Sequence, residues 1–358
     1  MKTPLKIGII GNGSIGGCHA ANCAKNSDVR ITALCDLLED RTARIAAAVA
    51  PGAQQFSDYR QLLAQADVDA VFVCLPNYLH APVAIAGLEA CKNVFCEKPM
   101  TISVAAAQDM VAAARRARRK GQVLQIGMVW RQDARVQTIR QLIASGLCGT
   151  IYHIRTTLIR RRGIPGLGGW FTTKKLAGAG ALMDIGVHWI DTSMFLADAW
   201  KPRTVSAVNH AKFGPTMRDY AYQHMWSGPP NYEGTFDVED YTSGLVRFAG
   251  GLSMNFNIAW AANGPDAGFI ELLGEQGGLI FAPGQDIVLR TTKDRKVVDL
   301  PQPIVGNEDY FARQLRLFVA ACRGEGEVPA TPEQGLVVVK LLEGVAASAK
   351  AGREVVVK

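Results

Sequence analysis

The sequence lacks a hydrophobic run long enough to cross a membrane. Its longest weakly polar stretch, residues 99–114, contains Gln108 and Asp109, whereas a membrane span needs about 18 uninterrupted apolar residues. The apolar run near the N-terminus is shorter than the core of a signal peptide, and it breaks into glycines where a cleavage site would be expected. We therefore expect no membrane association and a cytoplasmic protein.

Cysteines are present, but they lack the spacing of a metal site or a redox pair. The eight cysteines include no CxxC pair and no zinc-type pattern. Cys35 and Cys74 lie inside apolar runs, as small buried residues do. No neighbouring residue stands out as one that would lower the pKa of a thiol. We therefore predict that most of the cysteines are reduced core thiols, and that none forms a metal site or a catalytic thiol.

The chain also lacks internal repeats, low-complexity segments and an acidic excess. Its 39 Lys and Arg residues outnumber its 32 Asp and Glu residues, for a formal net charge of +7. The basic cluster at 114–120 ends a predicted helix, where cations complement the helix dipole, so it does not indicate a nucleic-acid partner. A second basic cluster, at 159–163, leads into a glycine-rich loop and is a candidate contact for an anionic cofactor or substrate.

Length and periodicity predict two domains of an α/β protein. The 358 residues exceed the length at which one core stops growing, which is about 250 residues. Over residues 1–127, short apolar strands alternate with Ala-rich helices, as in a doubly wound parallel sheet of the Rossmann type. Residues 128–358 predict an α+β domain with a large, mostly antiparallel open sheet, which includes a hairpin around Gly250 and Gly251.

A glycine-rich segment with the spacing G-x-G-x-x-G follows the first predicted strand. Alone it is a weak signal, because a tight turn and a close helix–strand contact need the same glycines. Here it opens a predicted helix, and Asp36 stands at the end of the second strand, 20 residues after the last glycine. This context predicts a dinucleotide site, with the pyrophosphate at the helix N-terminus and Asp36 on the adenosine ribose. The loop residues are Gly11, Asn12, Gly13, Ser14, Ile15 and Gly16.

Asp36 also bears on which nicotinamide cofactor is bound. A carboxylate at this position repels the extra phosphate of NADP, whereas NADP-binding proteins place an arginine nearby. NAD is therefore the predicted cofactor and NADP the less favoured one. Arg41, five residues further on, acts against a strict preference.

Two further loops lie at the ends of predicted parallel strands, where a doubly wound sheet binds its ligands. They read LPNYLH at 75–80 and CEKPM at 96–100. In one interpretation the prolines only end the strands and Lys98 is a solvated charge. In the other, Pro99 restricts Lys98 to an extended backbone, which directs its side chain from the sheet end toward bound nicotinamide. The candidate cofactor residues here are Leu75, Pro76, Asn77, His80, Glu97 and Lys98.

The segment DIGVHWID, residues 184–191, is predicted to be helical. Asp184, His188 and Asp191 then lie on one stripe of the helix, at i, i+4 and i+7. Three interpretations remain open: a metal site, a buried structural histidine, and a catalytic acid–base histidine. A metal site would need a further ligand from elsewhere, and no companion His/Asp pair stands out in the sequence.

Substrate contacts are the least determined feature of the sequence. The loop RRRGIPGLGGWF, residues 160–171, supplies Arg162 and Trp170. An aromatic ring can stack on a sugar, and an arginine can bind its hydroxyl or carboxylate groups, but a flexible surface loop explains the same composition equally well. Arg131, just after the sixth predicted strand, is a similar candidate.

The motifs GNGSIG, CLPNYLH, CEKPM and DIGVH, with Asp36 after the first, resemble the Gfo/Idh/MocA family of sugar and inositol dehydrogenases. The resemblance covers nearly the whole chain and implies a Rossmann domain followed by an α/β domain. The open sheet of that second domain carries the substrate pocket on one face and often an oligomer interface on the other. A homodimer or homotetramer through this sheet is therefore expected.

The resemblance also implies roles for individual residues. Lys98 matches the catalytic lysine of the family, and Asp184 with His188 matches its catalytic pair. Asn77 and His80 would lie by the nicotinamide ribose. The substrate site would then comprise Asp184 and His188 together with the candidates Arg131, Arg162 and Trp170.

These roles predict an NAD-dependent oxidoreductase acting on CH–OH groups. It would transfer a hydride between nicotinamide and a secondary alcohol or ketone of a sugar, cyclitol or sugar derivative. A neutral imidazole at His188 suits the removal of the hydroxyl proton, Asp184 would fix its tautomer or bind a neighbouring hydroxyl, and Lys98 would stabilise alkoxide charge. Two alternatives remain: an NAD-retaining glycosidase that uses transient oxidation, and a non-catalytic dinucleotide-sensing regulator.

Overall fold

The chain is divided into two compact units in a computed structural model that describes residues 3–222 and 225–358. The first unit consists of Met1–Val129 and Asp309–Leu336, and the second consists of Trp130–Glu308 and Val337–Lys358. The first break therefore lies two residues beyond the expected end at 127. The sequence predicted a continuous second domain over 128–358. The observed division differs from that prediction, because a segment near the end of the chain belongs to the first unit.

The sheet of the first unit has six parallel strands in the order β3-β2-β1-β4-β5-β6. Its strands are β1 (Leu5–Ile10), β2 (Val29–Cys35), β3 (Gln54–Phe56), β4 (Ala70–Val73), β5 (Asn93–Cys96) and β6 (Leu124–Ile126). The helices between them are α1 (Ser14–Ala24), α2 (Glu39–Val49), α3 (Tyr59–Gln65), α4 (His80–Glu89) and α5 (Val104–Arg118). This is the strand order of a doubly wound nucleotide-binding sheet, so the predicted Rossmann architecture is confirmed.

Helix α9 (Tyr310–Cys322) packs into the core of this first unit. Its apolar face contributes Leu315, Phe318 and Val319 to the cluster formed by the β1, β2, β4 and β5 strands. Phe318 meets the rings of Phe72 and Phe95 edge-on, with centroid distances of 5.4 and 5.8 Å. The burial of this face explains why a segment from the end of the chain belongs to the first unit.

The second unit is built on a nine-stranded mixed sheet in the order β14-β13-β12-β11-β7-β10-β9-β8-β15. Strands β7 and β10 are parallel, and the other neighbouring pairs are antiparallel. The strands are β7 (Ile151–Ile159), β8 (Pro202–His210), β9 (Tyr241–Phe248), β10 (Ser253–Ala259), β11 (Ala267–Gly274), β12 (Gly277–Phe281), β13 (Ile287–Lys293), β14 (Lys296–Gln302) and β15 (Val355–Val356). The predicted antiparallel sheet and the β9–β10 hairpin are therefore confirmed.

The two faces of this sheet differ in polarity. Ile154, Met254 and Phe256, on adjacent strands, are at most 1% exposed, so one face is buried. The opposite face carries polar and charged groups, including an ion pair between Arg155 and Glu271 at 2.7 Å. A side-chain period of two along each strand separates the two sets.

The helices of the second unit precede or separate strands of its sheet along the sequence. Within the described residues they are α6 (Ala134–Ala144), α7 (Lys174–Ala177), α8 (Val187–Leu196) and most of α10 (Pro332–Ala351), which begins in the first unit. A π-helical turn, Leu182–Gly186, precedes α8. Across residues 3–222 and 225–358, no helix combines the length and the apolar character needed to cross a membrane.

Candidate functional site

The glycine loop connects β1 to α1 and contains two positions that admit no side chain. Gly11 has a φ of +94°, and a Cβ atom there would lie 2.3 Å from the backbone oxygen of Cys74. A Cβ atom on Gly16 would lie 1.9 Å from the backbone oxygen of Gly11. These glycines are required by the tight turn and by the close contact between helix and strand.

Gly13 differs from its two neighbours because the space around it is open. The nearest atom to a Cβ atom on Gly13 would be Arg41 Nη1, at 3.9 Å. Gly13 is also the N-cap of α1, and within the described chain no side chain caps this end of the helix. Open space in front of unpaired helix N–H groups fits a pyrophosphate group, which helix N-termini attract.

Asn12 and Asp36 join the glycine loop to the end of β2. The Asn12 N–H donates to Asp36 Oδ2 at 2.7 Å, and the Leu38 N–H donates to Asp36 Oδ1 at 3.0 Å. Two of the carboxylate lone pairs are thus used by the backbone, which leaves others for ribose hydroxyl groups. The side chain of Asn12 is buried, and neither Oδ1 nor Nδ2 has a hydrogen-bond partner among the described residues. The loop therefore fits the polar cofactor that its sequence predicts.

His80 ties together the two loops that follow β4 and β5. Its Nδ1 lies 2.7 Å from the carbonyl oxygen of Pro99, and its Nε2 lies 2.7 Å from that of Leu75. The side chain is 1% exposed, and burial lowers its pKa despite the two carbonyl contacts. With both nitrogens directed at backbone oxygens, His80 is arranged to fix loop conformation rather than to bind a ribose. Asn77 begins a 3₁₀ turn, Asn77–Leu79, in the same loop, after the half-buried Leu75 and Pro76.

Glu97 and Lys98 follow β5 directly and differ in exposure. Glu97 is buried, and its Oε2 accepts a hydrogen bond from the Lys98 backbone N–H at 3.0 Å. Lys98 is half-buried, and the peptide bond between Lys98 and Pro99 is cis. The carboxylate of Glu97 thus contacts the backbone of the neighbouring lysine.

In the second unit, Asp184 lies in the π-helical turn rather than in an α-helix. The Val187 N–H donates to the Leu182 carbonyl, five residues earlier, so a single α-helical stripe through residues 184–191 does not form. Asp184 is 5% exposed, and its Oδ2 accepts a hydrogen bond from Trp260 Nε1 at 2.9 Å. A π turn of this kind is frequent at functional sites. His188 follows as the second residue of α8 and is half-buried.

An acidic segment, DVED at 237–240, holds the backbone around this turn. Oε1 of Glu239 accepts hydrogen bonds from the N–H groups of Gly180 and Leu182, at 2.9 and 3.0 Å. Burial raises the pKa of Glu239, although these two hydrogen bonds oppose the shift. Asp237 accepts from the Lys174 N–H at 2.6 Å. The side chain of Glu239 thus fixes the start of the turn that carries Asp184.

Glu239, Asp237 and Trp260 are site residues that sequence reasoning missed. The available signals were three carboxylates within four residues just before a strand, and a tryptophan directly after the last residue of β10. Neither signal specifies which distant backbone or side-chain group is contacted. Trp260 is fully buried and is 76 residues from Asp184 in sequence.

Arg131 forms a buried ion pair, which counts against a substrate contact. Its Nε and Nη2 donate to the two oxygens of Asp191, at 2.8 and 2.6 Å, and the two side chains are 0% and 1% exposed. The guanidinium also lies over the rings of Phe195 and Trp200, at 5.2 and 5.0 Å. Arg131 and Asp191 therefore form a structural ion pair. This pairing replaces the predicted substrate contact of Arg131 and the predicted place of Asp191 on a helix stripe with Asp184 and His188.

The loop at 160–171 is packed against another segment of the second unit. A Cβ atom on Gly168 would lie 1.8 Å from the backbone oxygen of Asn231, and the Asn231 N–H donates to Leu167 at 2.9 Å. Nη1 of Arg162 donates to the Arg161 and Ala262 carbonyls, and Nη2 donates to Asn263. Most of the Arg162 guanidinium is therefore bonded to protein acceptors, one within the loop and two in the segment after β10. Trp170 is half-buried and stacks on Phe171, with ring centroids 3.6 Å apart.

Two family descriptions match the sequence over adjoining regions. Residues 5–127 match the description "Oxidoreductase family, NAD-binding Rossmann fold", and residues 136–280 match "GFO/IDH/MocA C-terminal domain". The chain belongs to the GFO/IDH/MocA oxidoreductase family. Its first unit is accordingly an NAD-binding Rossmann domain, and the family predicted from the sequence motifs is confirmed.

Two curated relatives and one solved structure illustrate the range of similarity of this GFO/IDH/MocA chain. D-glucoside 3-dehydrogenase from Escherichia coli K12 is 27% identical, over 99% of this chain and 98% of the relative. 1,5-anhydro-D-fructose reductase from Ensifer adhaerens is 30% identical, over 77% of this chain and 76% of the relative. The crystal structure of an oxidoreductase domain protein from Kribbella flavida is 26% identical, with a TM-score of 0.85 and full coverage of both chains.

The histidines and acids of this GFO/IDH/MocA member do not assemble into a metal site where the structure describes them. No group of three His, Cys, Asp or Glu side chains in residues 3–222 and 225–358 is arranged to hold a metal ion. Asp184 accepts a hydrogen bond from an indole N–H, and Asp191 pairs with a guanidinium. Two of the three residues on the predicted stripe are therefore bonded to protein side chains.

Proposed function

We propose that this protein is an NAD-dependent oxidoreductase acting on a secondary alcohol or ketone of a sugar, cyclitol or sugar derivative. The observation that carries the proposal is the loop between β1 and α1, where Gly11 and Gly16 are closed to side chains and Gly13 is open. A structural turn would not require open space at the middle glycine, whereas a pyrophosphate does. The match of residues 5–127 to an NAD-binding family supports the same cofactor.

NAD is proposed over NADP because of Asp36. Its side chain is 10% exposed and accepts two backbone hydrogen bonds, so it is held in place at the end of β2. A fixed carboxylate binds ribose hydroxyl groups and repels a phosphate at the same position. Arg41 Nη1 is 3.9 Å from Asp36 Oδ2 and offsets part of this repulsion.

The proposed chemistry divides between the cofactor and three side chains. When bound, the nicotinamide supplies hydride transfer. His188 removes the proton of the substrate hydroxyl group, because an imidazole titrates near neutral pH. Asp184, held by the indole N–H of Trp260, orients the imidazole or a neighbouring substrate hydroxyl. Lys98 stabilises the negative charge that develops on the substrate oxygen.

A carbohydrate substrate is proposed from two considerations. Relatives named for a glucoside and an anhydrofructose share 27% and 30% of their aligned residues with this chain. Trp170, already stacked on Phe171, offers an aromatic face of the kind that packs on sugar rings. The hydrogen bonds of Arg162 to Arg161, Ala262 and Asn263 come from Nη1 and Nη2, so its Nε donor can still reach a substrate oxygen.

Assembly and compartment are proposed on separate grounds. The half-exposed face of the nine-stranded sheet carries Leu245, Phe269 and Leu273 among its polar groups, and we propose that it forms a homodimer or homotetramer interface. Light scattering at micromolar concentration tests this, and a monomer contradicts it. A reducing, cytoplasmic location is proposed because all eight cysteines are free thiols.

The decisive experiment is a screen of polyols, inositols, sugars and glycosides in which NADH formation is followed by absorbance. The proposal expects turnover with one of these classes, and a Lys98→Met variant should be slower by about 100-fold with NAD binding retained. Product analysis separates the alternatives. Cleavage of a glycoside without net NADH would support the NAD-retaining glycosidase, and NAD binding without turnover would support the regulator. A Lys98→Met enzyme with parental turnover would overturn the catalytic assignment.

A further inference from the structure

The residue pair next to Lys98 in the first unit is buried and is not part of the chemistry proposed above. His19 Nε2 lies 2.7 Å from Glu97 Oε1, and the two side chains are 5% and 7% exposed. The second carboxylate oxygen of Glu97 accepts the Lys98 backbone N–H at 3.0 Å. One carboxylate thus connects a histidine of α1 to the backbone of the proposed catalytic lysine.

The charge state of Glu97 determines the direction of these hydrogen bonds. Burial raises the pKa of this carboxyl group, but the hydrogen bond to His19, the charges of His19 and Lys98 and the Lys98 N–H outweigh it and lower the pKa below its ordinary value. Glu97 is therefore an ionised acceptor at neutral pH. His19 must then donate from Nε2, because a carboxylate has no proton to give.

The surroundings of the pair keep it in one position. The imidazole of His19 meets the rings of Phe72, Phe95 and Phe311 edge-on, at centroid distances of 5.3, 4.9 and 5.7 Å. On the other side, a Cβ atom on Gly127 would lie 3.1 Å from the Glu97 side chain, so the Gly127 backbone closes that space. Both side chains therefore lie in close contact with packed neighbours.

We propose that His19 is a positioning residue for Lys98, acting through Glu97. The N–H of His19 holds the carboxylate, and the carboxylate holds the backbone N–H of the lysine. The carbonyl oxygen of Pro99, on the other side of Lys98, makes a separate contact of 2.7 Å with His80 Nδ1. The inference rests on the proposed catalytic role of Lys98, and it adds that the orientation of this lysine depends on a histidine 79 residues earlier in the chain.

The test compares two substitutions of His19 in the full-length protein. His19→Phe keeps an aromatic ring for the surrounding phenylalanines but removes the donor to Glu97. His19→Gln removes the ring but retains an N–H donor close to the position of Nε2. Turnover should fall by about 10- to 100-fold in His19→Phe, by analogy with the loss of a hydrogen-bond partner that orients a metal ligand. His19→Gln should retain at least part of the turnover that His19→Phe loses.

A packing role predicts the opposite order, because phenylalanine preserves the aromatic contacts better than glutamine. Phe318→Leu is the matched control: it loosens the same cluster through Phe72 and Phe95 without touching His19 or Glu97. This variant should lower the melting temperature while turnover stays within about threefold of the parent. NAD affinity should also stay within about threefold of the parent in all three variants.

A second readout does not depend on substrate or cofactor. Hydrogen exchange of the Lys98 amide in the unliganded protein should be faster in His19→Phe than in the parent, and close to parental in His19→Gln and Phe318→Leu. In the parent, the ¹⁵N spectrum of His19 should report a protonated Nε2. The spectrum needs no variant, so it applies even if His19→Phe fails to fold.

The outcomes separate this inference from the proposed function. Altered Lys98 exchange in a protein that oxidises no polyol or sugar would reject the function and keep the positioning role. An active parent in which His19→Phe has normal turnover and normal exchange would reject the positioning role alone. A parent spectrum with Nε2 unprotonated would also reject it.

Discussion

The two units position their candidate site residues in different ways. In the first unit, the glycine loop is fixed mainly by its own backbone, and Asp36 reaches it from the end of the next strand. In the second unit, Asp184 depends on side chains from distant segments, since Glu239 holds the turn and Trp260 holds the carboxylate. A site that is defined by backbone conformation has a recognisable local motif, whereas a site built from distant side chains does not.

The largest effect is expected at His188, which tests whether the second unit carries the proposed base. His188→Asn should lower kcat by about 10² to 10⁴, because the group that accepts the hydroxyl proton is lost. A more alkaline buffer should restore part of the rate, since hydroxide then substitutes for the imidazole. Steady-state kinetics across pH, with substrate in excess, measures both effects.

A double variant sharpens the same comparison. If His188 and Lys98 act in one chemical step, combining His188→Asn with Lys98→Met should be little worse than the poorer single variant. If the loss of kcat in the double variant equals the product of the two single losses, the two groups act in separate steps. An unchanged kcat in His188→Asn would remove it as the base.

Stability is the quantity expected to change at Arg131. Arg131→Leu leaves the carboxylate of Asp191 buried and unpaired, which should lower the free energy of unfolding by about 3–5 kcal/mol. Replacing both partners with apolar residues, as in Arg131→Met with Asp191→Leu, should recover most of that loss. Denaturant unfolding measures this, and an increase in KM without any loss of stability would instead indicate a substrate contact.

Glu239 provides a matched pair of substitutions for the turn that carries Asp184. Glu239→Ala leaves two backbone N–H groups without an acceptor, which should cost about 1–3 kcal/mol of stability. Glu239→Gln keeps an amide oxygen in the same place and should stay within about 1 kcal/mol of the parent. Thermal or denaturant unfolding separates the two, and equal losses would show that the hydrogen bonds contribute little.

The raised pKa of Glu239 adds a pH dependence with a defined sign. A folded-state pKa above the unfolded one means that the native protein holds a proton where the unfolded chain has lost it. The stability contributed by this group is therefore fully present below the unfolded pKa and is lost as pH rises through the folded pKa. Glu239→Gln should lack this portion of the pH profile, and an identical profile in both proteins would contradict the assignment.

The smallest expected effect concerns cofactor choice in the first unit. Asp36→Ala should weaken NAD binding by about tenfold and reduce the ratio of NAD affinity to NADP affinity. Both effects are expected because the substitution removes the acceptor for ribose hydroxyl groups and the charge that repels the NADP phosphate. Asp36→Asn retains an acceptor for the Asn12 N–H and should change mainly the NADP affinity. Calorimetry with both cofactors measures the shifts, and an unchanged NAD affinity in the alanine variant would contradict the ribose contact.

Much of the first unit could be predicted because its signals are local. Strand–helix alternation, nearly all-apolar strands and the glycine spacing each depend on a few neighbouring residues, and together they predicted the parallel, doubly wound sheet that the structure shows. The placement of α9 was not predictable in this way. Its amphipathic pattern shows that Leu315 and Phe318 need a partner but does not say which sheet supplies it.

The second unit was predictable in its strands and less so in its site. The hairpin around Gly250 and Gly251 follows from alternation and a turn signal. The π turn at Leu182–Gly186 does not, because residues spaced for an α-helix accommodate one longer hydrogen-bonded turn without a change of composition. Arg131 was misleading for a related reason, since a charged residue gives no indication in sequence of whether its partner is a substrate or a buried aspartate.

The assignment of Asp309–Leu336 to the first unit has a consequence for biosynthesis. Residue 129 leaves the ribosome 180 residues before residue 309, a delay of about 10–35 seconds at ordinary elongation rates of about 5–20 residues per second. During that interval Phe72 and Phe95 lack the helix that covers them in the finished protein. The nascent Rossmann domain therefore has an exposed apolar surface suited to chaperones, and truncation after residue 129 would make that exposure permanent.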